Sequence, residues 1–476
     1  MVKPTYTSAT APGALPLLGH AVPLLRGPLD FLSSLPARGD LVRVRIGPFR
    51  AVVVCDPELT RQVLLEDRAF DKGGPLYDRI REVGGNGLGT CPYREHRRQR
   101  RLIQPSFHPT RLPGYARVMT GQIATVTRSW HDGRTVDVLA EMMTLTARTA
   151  VATMFADGLP PSALGTVMDD FATVMAGITR RALMPAGPDR LPTPGNRRFV
   201  RAHARLRRTV RRIIAERRAE RTDHGDLLSA LLAARDAAGG GAARGFSDAE
   251  IDDQILTFFI AGTETTASTL AWALHALGHH PRLARRLRAE ADAVLGGAPA
   301  TLEHLPRLDL TGRIVTESLR LYPPVWLLTR VATADTRLGG HTVPAGTTVA
   351  FSPYLLHRRP DLYADPGRFD PDRWSAAGEA GPGAQRPRGA FVPFGGGARK
   401  CIGDAFGRTE ATLALASIAA AWRLEPVPGE RVRPALGVVM SPRGLRMRTV
   451  RRGAPAAPVI RRQADDVPGP THLQDR

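Results

Sequence analysis

Hydrophobic and polar positions change period several times along the chain, and each change marks an element. Leu41–Ile46 alternates Val42, Arg43, Val44 and Arg45, the period-two pattern of a half-buried strand. Gly47-Pro48 reads as a turn and Ala51–Val54 as the partner strand. The stretch Pro12–Pro28 before them is punctuated by proline and reads as extended chain. Pro57 to Glu66 reads as a helix opened by Asp56. Residues 71–91 are rich in glycine, hold no clear period, and read as a loop. Helices dominate from Tyr93 to about Tyr322, with the low-complexity Gly239–Arg244 between two of them. Short strands follow Pro323, then a long loop over Ser375–Val392, then a helix over about Asp404–Trp422.

The longest predicted helix runs from Asp248 to Gly278. The capping box Ser247-x-x-Glu250 opens it and Pro281 closes it. At 1.5 Å per residue it is about 45 Å long. Its middle, Ile255–Ala261, is apolar nearly all round, which predicts burial. The expected fold class is mainly α with small β-sheets. One domain over residues 1–451 and a polar, disordered tail over 452–476 are expected.

The chain has 476 residues, 43% hydrophobic and 23% charged, values that exclude a disordered or fibrous protein. Three cysteines, Cys55, Cys91 and Cys401, exclude a disulfide framework and suit a reducing cytoplasm. The most apolar segment, Ala14 to Phe31, is broken by Pro16, Pro23 and Pro28 and carries Arg26, so no membrane anchor is expected. A cytoplasmic location follows. The net charge of +21 suits nucleic acid, a membrane surface or an acidic protein. All but Lys3, Lys72 and Lys400 of the 66 basic residues are arginine, the bias of a GC-rich coding sequence. No zinc-finger, RNP or basic-zipper pattern accompanies the charge, which argues against nucleic acid.

Candidate chemistry centres on Phe394-Gly395-Gly396-Gly397-Ala398-Arg399-Lys400-Cys401-Ile402-Gly403. A cysteine there sits between a glycine-rich turn and a helix N-terminus. The helix end and Arg399 would favour the thiolate that an axial iron ligand must be. Glu264 and Thr265 lie in the apolar middle of the long helix, where a carboxyl is costly without a task. Glu317 and Arg320 share a helix face. Pro366-x-x-Phe369-x-Pro371-x-Arg373-Trp374 is a further ordered cluster.

These segments, in this order, resemble the cytochrome P450 family, over about Pro12 to Val450. The resemblance implies haem b with Cys401 as its iron ligand. Phe394 and Arg399 in the loop, His96 with Arg100, and Arg330 would complete the haem site. Tyr93 with Arg97 fits the same aromatic-to-arginine spacing as His96 with Arg100. Glu317, Arg320 and Arg373 would form a buried structural triad. Thr265 and Glu264 would pass protons during insertion of one atom of O₂ into a substrate C–H bond. Electrons would come from NAD(P)H through a ferredoxin reductase and an acidic ferredoxin, 2Fe-2S or 3Fe-4S. Arg94, Arg97, Arg98, Arg100 and Arg101 would attract that partner. The resemblance is to soluble bacterial members, monomeric and without a fused reductase. A haem-thiolate sensor is the non-enzymatic alternative.

Four segments are expected to line the pocket: Leu76 to Val83, Phe258 to Ala261, Val325 to Leu328 and Val438 to Met440. All but the first are almost wholly apolar, Trp326 included, which suits a compact hydrocarbon. Phe70–Pro75, His96–Arg101, Asn196–Phe199 and Val325–Arg330 resemble the actinobacterial terpene-oxidising branch of the family. That resemblance implies a cyclic sesquiterpene such as pentalenene, in terpene or antibiotic metabolism. The alternatives are another secondary metabolite or a fatty acid, the latter held through Arg43 and Arg45. A solvated edge strand is the simpler account of those two arginines.

Overall fold

A computed structural model of the chain describes residues 6–156, 161–183, 191–236, 244–376 and 387–453. The alternating segment forms the predicted strand. Leu41–Ile46 pairs antiparallel with Phe49–Val54, from Leu41 opposite Val54 to Ile46 opposite Phe49. Gly47 supplies the turn with a φ of 56°. Leu41–Arg43 also pairs, in parallel, with a short strand at Ser8–Thr10. That half of the strand is therefore not an edge, contrary to the simple reading of Arg43. The sheet continues through Thr348–Phe351 and Leu328–Ala332 to Phe70–Asp71. Three smaller sheets complete the β content among the described residues.

Residues 71–91 are not a plain loop. Pro75–Gly84 is a helix, with Pro at its first turn and Gly85 closing it at φ 70°. The flanking glycines mask it in the sequence, because they carry its start and stop. Residues 377–386 of the expected Ser375–Val392 loop, Gly239–Ala243 of the low-complexity break, and 454–476 of the expected tail lie outside the described residues. Arg452 is held, with its backbone N–H on Ala421 O and its guanidinium 2.7 Å from Asp292.

The long helix spans Asp248–His279, and both halves of its capping box form. It packs along Val138–Phe155, the two burying much of the core. Ile255, Leu256 and Phe259 are buried as expected. Phe258 and Ala261 instead face an internal cavity, which is why this helix is apolar on every side.

The densest polar knot lies on the helix Asp309–Leu321. Arg320 donates to both carboxylate oxygens of Glu317, at 2.7 and 2.8 Å, and both side chains are fully buried. Arg373 Nε, Trp374 Nε1 and the Asp370 backbone N–H also donate to that carboxylate, at 2.8–3.0 Å. Arg320 donates further to the carbonyls of His357, Pro366 and Arg368. His357 joins this knot to the cysteine loop. Its Nδ1 lies 3.2 Å from Arg320 O, and its Nε2 accepts from Val392 N–H at 3.0 Å. Nε2 must therefore be unprotonated, and burial beside Arg320 pushes the pKa down to about 3.

Removing the Arg320 guanidinium would leave Glu317 buried without its main partner. Arg320→Ala should cost about 3–5 kcal/mol in denaturant unfolding. A loss below about 1 kcal/mol would show that the knot does not hold the fold.

Candidate active site

A cavity of about 360 Å³ lies between the long helix and the segment that carries Cys401. Gly397–Arg399 makes one turn of 3-10 helix, and Asp404–Ala421 begins just beyond the cysteine. Cys401 N–H donates to Phe394 O at 2.9 Å and closes the loop. Gly395 and Gly397 take φ of 67° and 61°. A Cβ on Gly397 would sit 2.1 Å from Leu64 O, so the loop presses onto the helix Pro57–Leu65 through a bare backbone. Cys401 opens to the cavity and is crowded by protein on its other sides. Burial raises its pKa; the Gly403 backbone N–H, Lys72 and Arg100 pull the other way. Arg399 lines the same cavity but is bonded elsewhere. It turns away to Cys91 O at 2.7 Å and Asp71 at 2.6 Å.

Positive charge gathers along one rim of this cavity. Lys72, Arg100, Arg330 and Arg399 line it beside His96, and among the described residues no Asp or Glu does so. Arg330 is only 3% exposed, and its bonds go to Tyr77 OH and Thr329 O, with no carboxylate in reach. His96 is buried with Nδ1 unpartnered. Burial and the surrounding cations push its pKa down to about 3, so it is a neutral imidazole. Tyr93 and Arg97 stack on one another at 5.1 Å and do not reach the cavity. Asp71 balances Arg399 alone, and the buried Arg330, with no carboxylate in reach, calls for an anionic ligand.

The opposite wall is the long helix. Thr265 Oγ1 donates to Ala261 O at 2.7 Å and lines the cavity. Glu264 has one carboxyl oxygen buried without a partner, and burial alone raises its pKa to about 7. The remaining wall is mostly apolar, with Leu88, Phe107, Met154, Phe258, Val325 and Leu328.

The comparisons with known proteins match this arrangement. The cytochrome P450 family model covers residues 10–447. Pentalenene oxygenase of Streptomyces avermitilis is 48% identical, over 95% of this chain and 99% of that protein. Cyclooctat-9-en-7-ol 5-monooxygenase of Streptomyces melanosporofaciens is also 48% identical, over 89% and 91%. The crystal structure of the cytochrome P450DA haem domain superposes with a TM-score of 0.83 at 27% identity, covering 95% of this chain and 99% of that one. The chain belongs to the cytochrome P450 family. It is a haem monooxygenase, and no helix among the described residues is long and apolar enough to cross a membrane.

The residues of this cytochrome P450 fit a haem. An open cysteine faces the cavity, Arg330 has only neutral oxygens as acceptors, and His96 Nδ1 has no partner, an arrangement that would welcome two carboxylates. Among the expected lining segments, Phe258, Ala261, Val325 and Leu328 reach the cavity. Leu76 to Val83 and Val438 to Met440 do not. The first belongs to the helix Pro75–Gly84, which packs outside it. Met440 serves instead as a backbone acceptor for Ser268, at 2.6 Å. Trp326 turns away to bond Gly437 O at 3.0 Å. Arg43 and Arg45 are exposed and lie outside the cavity.

Sequence reasoning missed Lys72 and Glu410. Lys72 donates to Gly89 O at 2.7 Å, and burial among Arg330 and Arg399 pushes its pKa down to about 7. Its signal was its rarity, one of three lysines. Glu410 lies on the helix Asp404–Ala421, fully buried beside Thr149 and Thr266. Neither of its carboxyl oxygens has a partner, because Thr149 donates to Leu145 O instead. Burial raises its pKa to about 8.

A raised folded pKa means that the folded state keeps this proton longer than the unfolded chain does. The stabilisation is present below about pH 4.5 and is lost as pH rises towards 8. Glu410→Gln cannot ionise, so its stability relative to the native chain should climb by up to about 1.4 kcal/mol per pH unit in that window. Parallel stability curves for the two proteins would show that Glu410 is ionised in the fold.

Proposed function

We propose that this cytochrome P450 oxidises a cyclic terpene hydrocarbon, in the manner of a pentalenene-type sesquiterpene, at an allylic or methyl carbon. The observation that carries the reading is the 48% identity, over 95% of the chain, to a protein named for pentalenene. The second relative is named for a cyclic alcohol, which supports successive oxidations of one carbon skeleton. The apolar wall supports the same substrate class. Burial of hydrocarbon there is worth about 25 cal/mol per Å². A fatty acid would need a cation for its carboxylate, and Arg43 and Arg45 lie outside the cavity.

When bound, haem supplies the oxygen-activating chemistry. Cys401 would hold its iron, and His96, Arg100, Arg330 and Arg399, joined by Lys72, would take its carboxylates. Phe394 anchors the loop through its carbonyl. Leu88, Phe107 and Phe258 hold the substrate and exclude water. Glu264 holds the proton. With a pKa near 7 its carboxyl is about half protonated at neutral pH and acts as a general acid. Thr265 Oγ1 donates to Ala261 O, which leaves its lone pairs to accept a hydrogen bond; to relay a proton the hydroxyl would turn its own O–H into the cavity as it accepts another. An acidic ferredoxin is the proposed electron donor. Arg98 and Arg101 are paired with Glu250 and Asp236, which leaves Arg94 and Arg97 as the exposed cations of that helix.

Thr265→Ala should bind substrate normally but divert electrons to hydrogen peroxide, measured as peroxide released per NAD(P)H consumed. Glu264→Gln should slow turnover about tenfold or more and flatten its decline above pH 7. Unchanged coupling and pH profile in both variants would place proton delivery elsewhere. Titration with pentalenene-type hydrocarbons should shift the haem spin state, with product confirmed by mass spectrometry. Tight shifts from medium-chain fatty acids alone would overturn the substrate assignment.

A further inference from the structure

The segment Pro12–Pro28, too broken to span a membrane, has an unexpected form. Eight large hydrophobic residues are conspicuously exposed among the described residues, and five of them lie on this segment or on the hairpin bonded to it: Leu15, Leu17, Leu18, Leu25 and Ile46. Leu17 is 88% exposed and Leu25 84%. A core does not need side chains displayed in this way, and contiguous apolar exposure marks contact sites.

The display is rigid. Leu15 and Gly19 exchange two backbone hydrogen bonds, at 2.8 and 2.9 Å, which pinch Pro16, Leu17 and Leu18 into a tip. Gly47 N–H donates to Leu18 O, and His20 N–H to Arg45 O, so the tip is fixed to the Leu41–Val54 hairpin. The His20 ring is buried; its Nε2–H donates to Ala11 O at 2.8 Å and its Nδ1 accepts from Arg45 N–H at 3.0 Å. Gly19 fits only without a side chain, since a Cβ would meet Arg45 O at 2.2 Å. Leu17 itself takes φ 60°, a conformation that favours glycine, and so carries an apolar side chain at a strained position.

Arginines surround this tip. Arg26, Arg43, Arg45 and Arg50 are exposed, and none of them forms an ion pair with a described residue; Arg43 donates to Ser8 Oγ and Arg45 to Leu15 O. Arg45 stands directly opposite Arg50 in the hairpin, a like-charge pair that costs stability unless an anion lies between. Between residues 11 and 55 the only carboxylates are Asp30 and Asp40. A second copy of the chain would bring cation against cation, so self-association is disfavoured. An apolar tip ringed by guanidinium groups matches a surface with acyl chains beneath and phosphates above.

We infer that Leu15–Leu18 and Leu25, with Arg26, Arg45 and Arg50, form a peripheral docking surface for an anionic lipid bilayer. The apolar tip enters the interface and the arginines meet lipid phosphates. An apolar substrate of the kind proposed above would be concentrated in the same bilayer, but the docking surface does not depend on that substrate.

Co-sedimentation of the haem-loaded protein with phosphatidylcholine vesicles, with and without phosphatidylglycerol, tests this. Binding should require phosphatidylglycerol and weaken with salt. Arg26→Glu with Arg50→Glu should weaken it by about tenfold or more. Leu17→Ser with Leu25→Ser should do likewise. All four positions are exposed, and an unchanged haem spectrum verifies the fold. Equal binding to both vesicle types, or to neither, would overturn the inference. So would full binding by the leucine variant, since general basicity would then suffice. A native dimer in sedimentation that the leucine variant dissociates would assign the tip to a second copy. Slower reduction of the arginine variant by ferredoxin would assign the patch to that protein instead.

Discussion

The fully buried ion pair between Glu317 and Arg320 is the constraint on which the cysteine loop depends. Two charges at zero exposure survive only where every oxygen and nitrogen is satisfied. Here Glu317 collects donors from Arg320, Arg373, Trp374 and Asp370, while Arg320 spends its remaining N–H groups on three carbonyls. Those carbonyls belong to the stretch 357–368, so the pair fixes the chain that leads into the loop. His357 completes the link, because its neutral ring takes Val392 N–H two residues before Phe394. The loop is thus held from behind by a charge network and from below by the glycine backbone against Leu64.

The cavity has two electrostatic faces, and they serve different ends. One rim is cationic with no carboxylate lining it, an arrangement that disfavours an empty site and welcomes the carboxylates of haem. The helix face is nearly neutral. Behind it the buried carboxyls of Glu264, on the long helix, and Glu410, on the helix Asp404–Ala421, have pKa values raised to about 7 and 8, so both can hold protons near neutral pH. Burial produces both shifts without any neighbouring acid. An apolar helix that buries a carboxyl therefore creates a proton reservoir by the same physics that excludes water from the substrate.

Cys401 and Thr265 could be placed at the cavity from sequence because each stands in a run of residues close in the chain, whereas the choice of His96 with Arg100 over Tyr93 with Arg97 needed the fold. A glycine-rich turn before a cysteine, or a capping box before an apolar run, is a local arrangement, and local geometry follows from spacing. The hairpin at Leu41–Val54 and the capping box at Ser247 were legible for the same reason. The helix Pro75–Gly84 was not, because glycines that cap a helix look in sequence like glycines that prevent one.

Side-chain direction and long-range company were decided only by tertiary packing. Arg399 and Trp326 sit where expected in the chain, yet Arg399 turns to Asp71 and Trp326 to Gly437. Lys72, Arg330 and Arg399 come from three distant segments and become one rim only when the sheet brings Phe70–Asp71 beside Leu328–Ala332. Glu410 reads in sequence as an ordinary helical glutamate until neighbouring helices close over it. The sequence by itself determined the family and singled out Cys401, Glu264 and Thr265 as the candidates for its chemistry, because covalent order carries those motifs. It could not determine which surfaces meet, since that depends on free energy summed over contacts far apart in the chain.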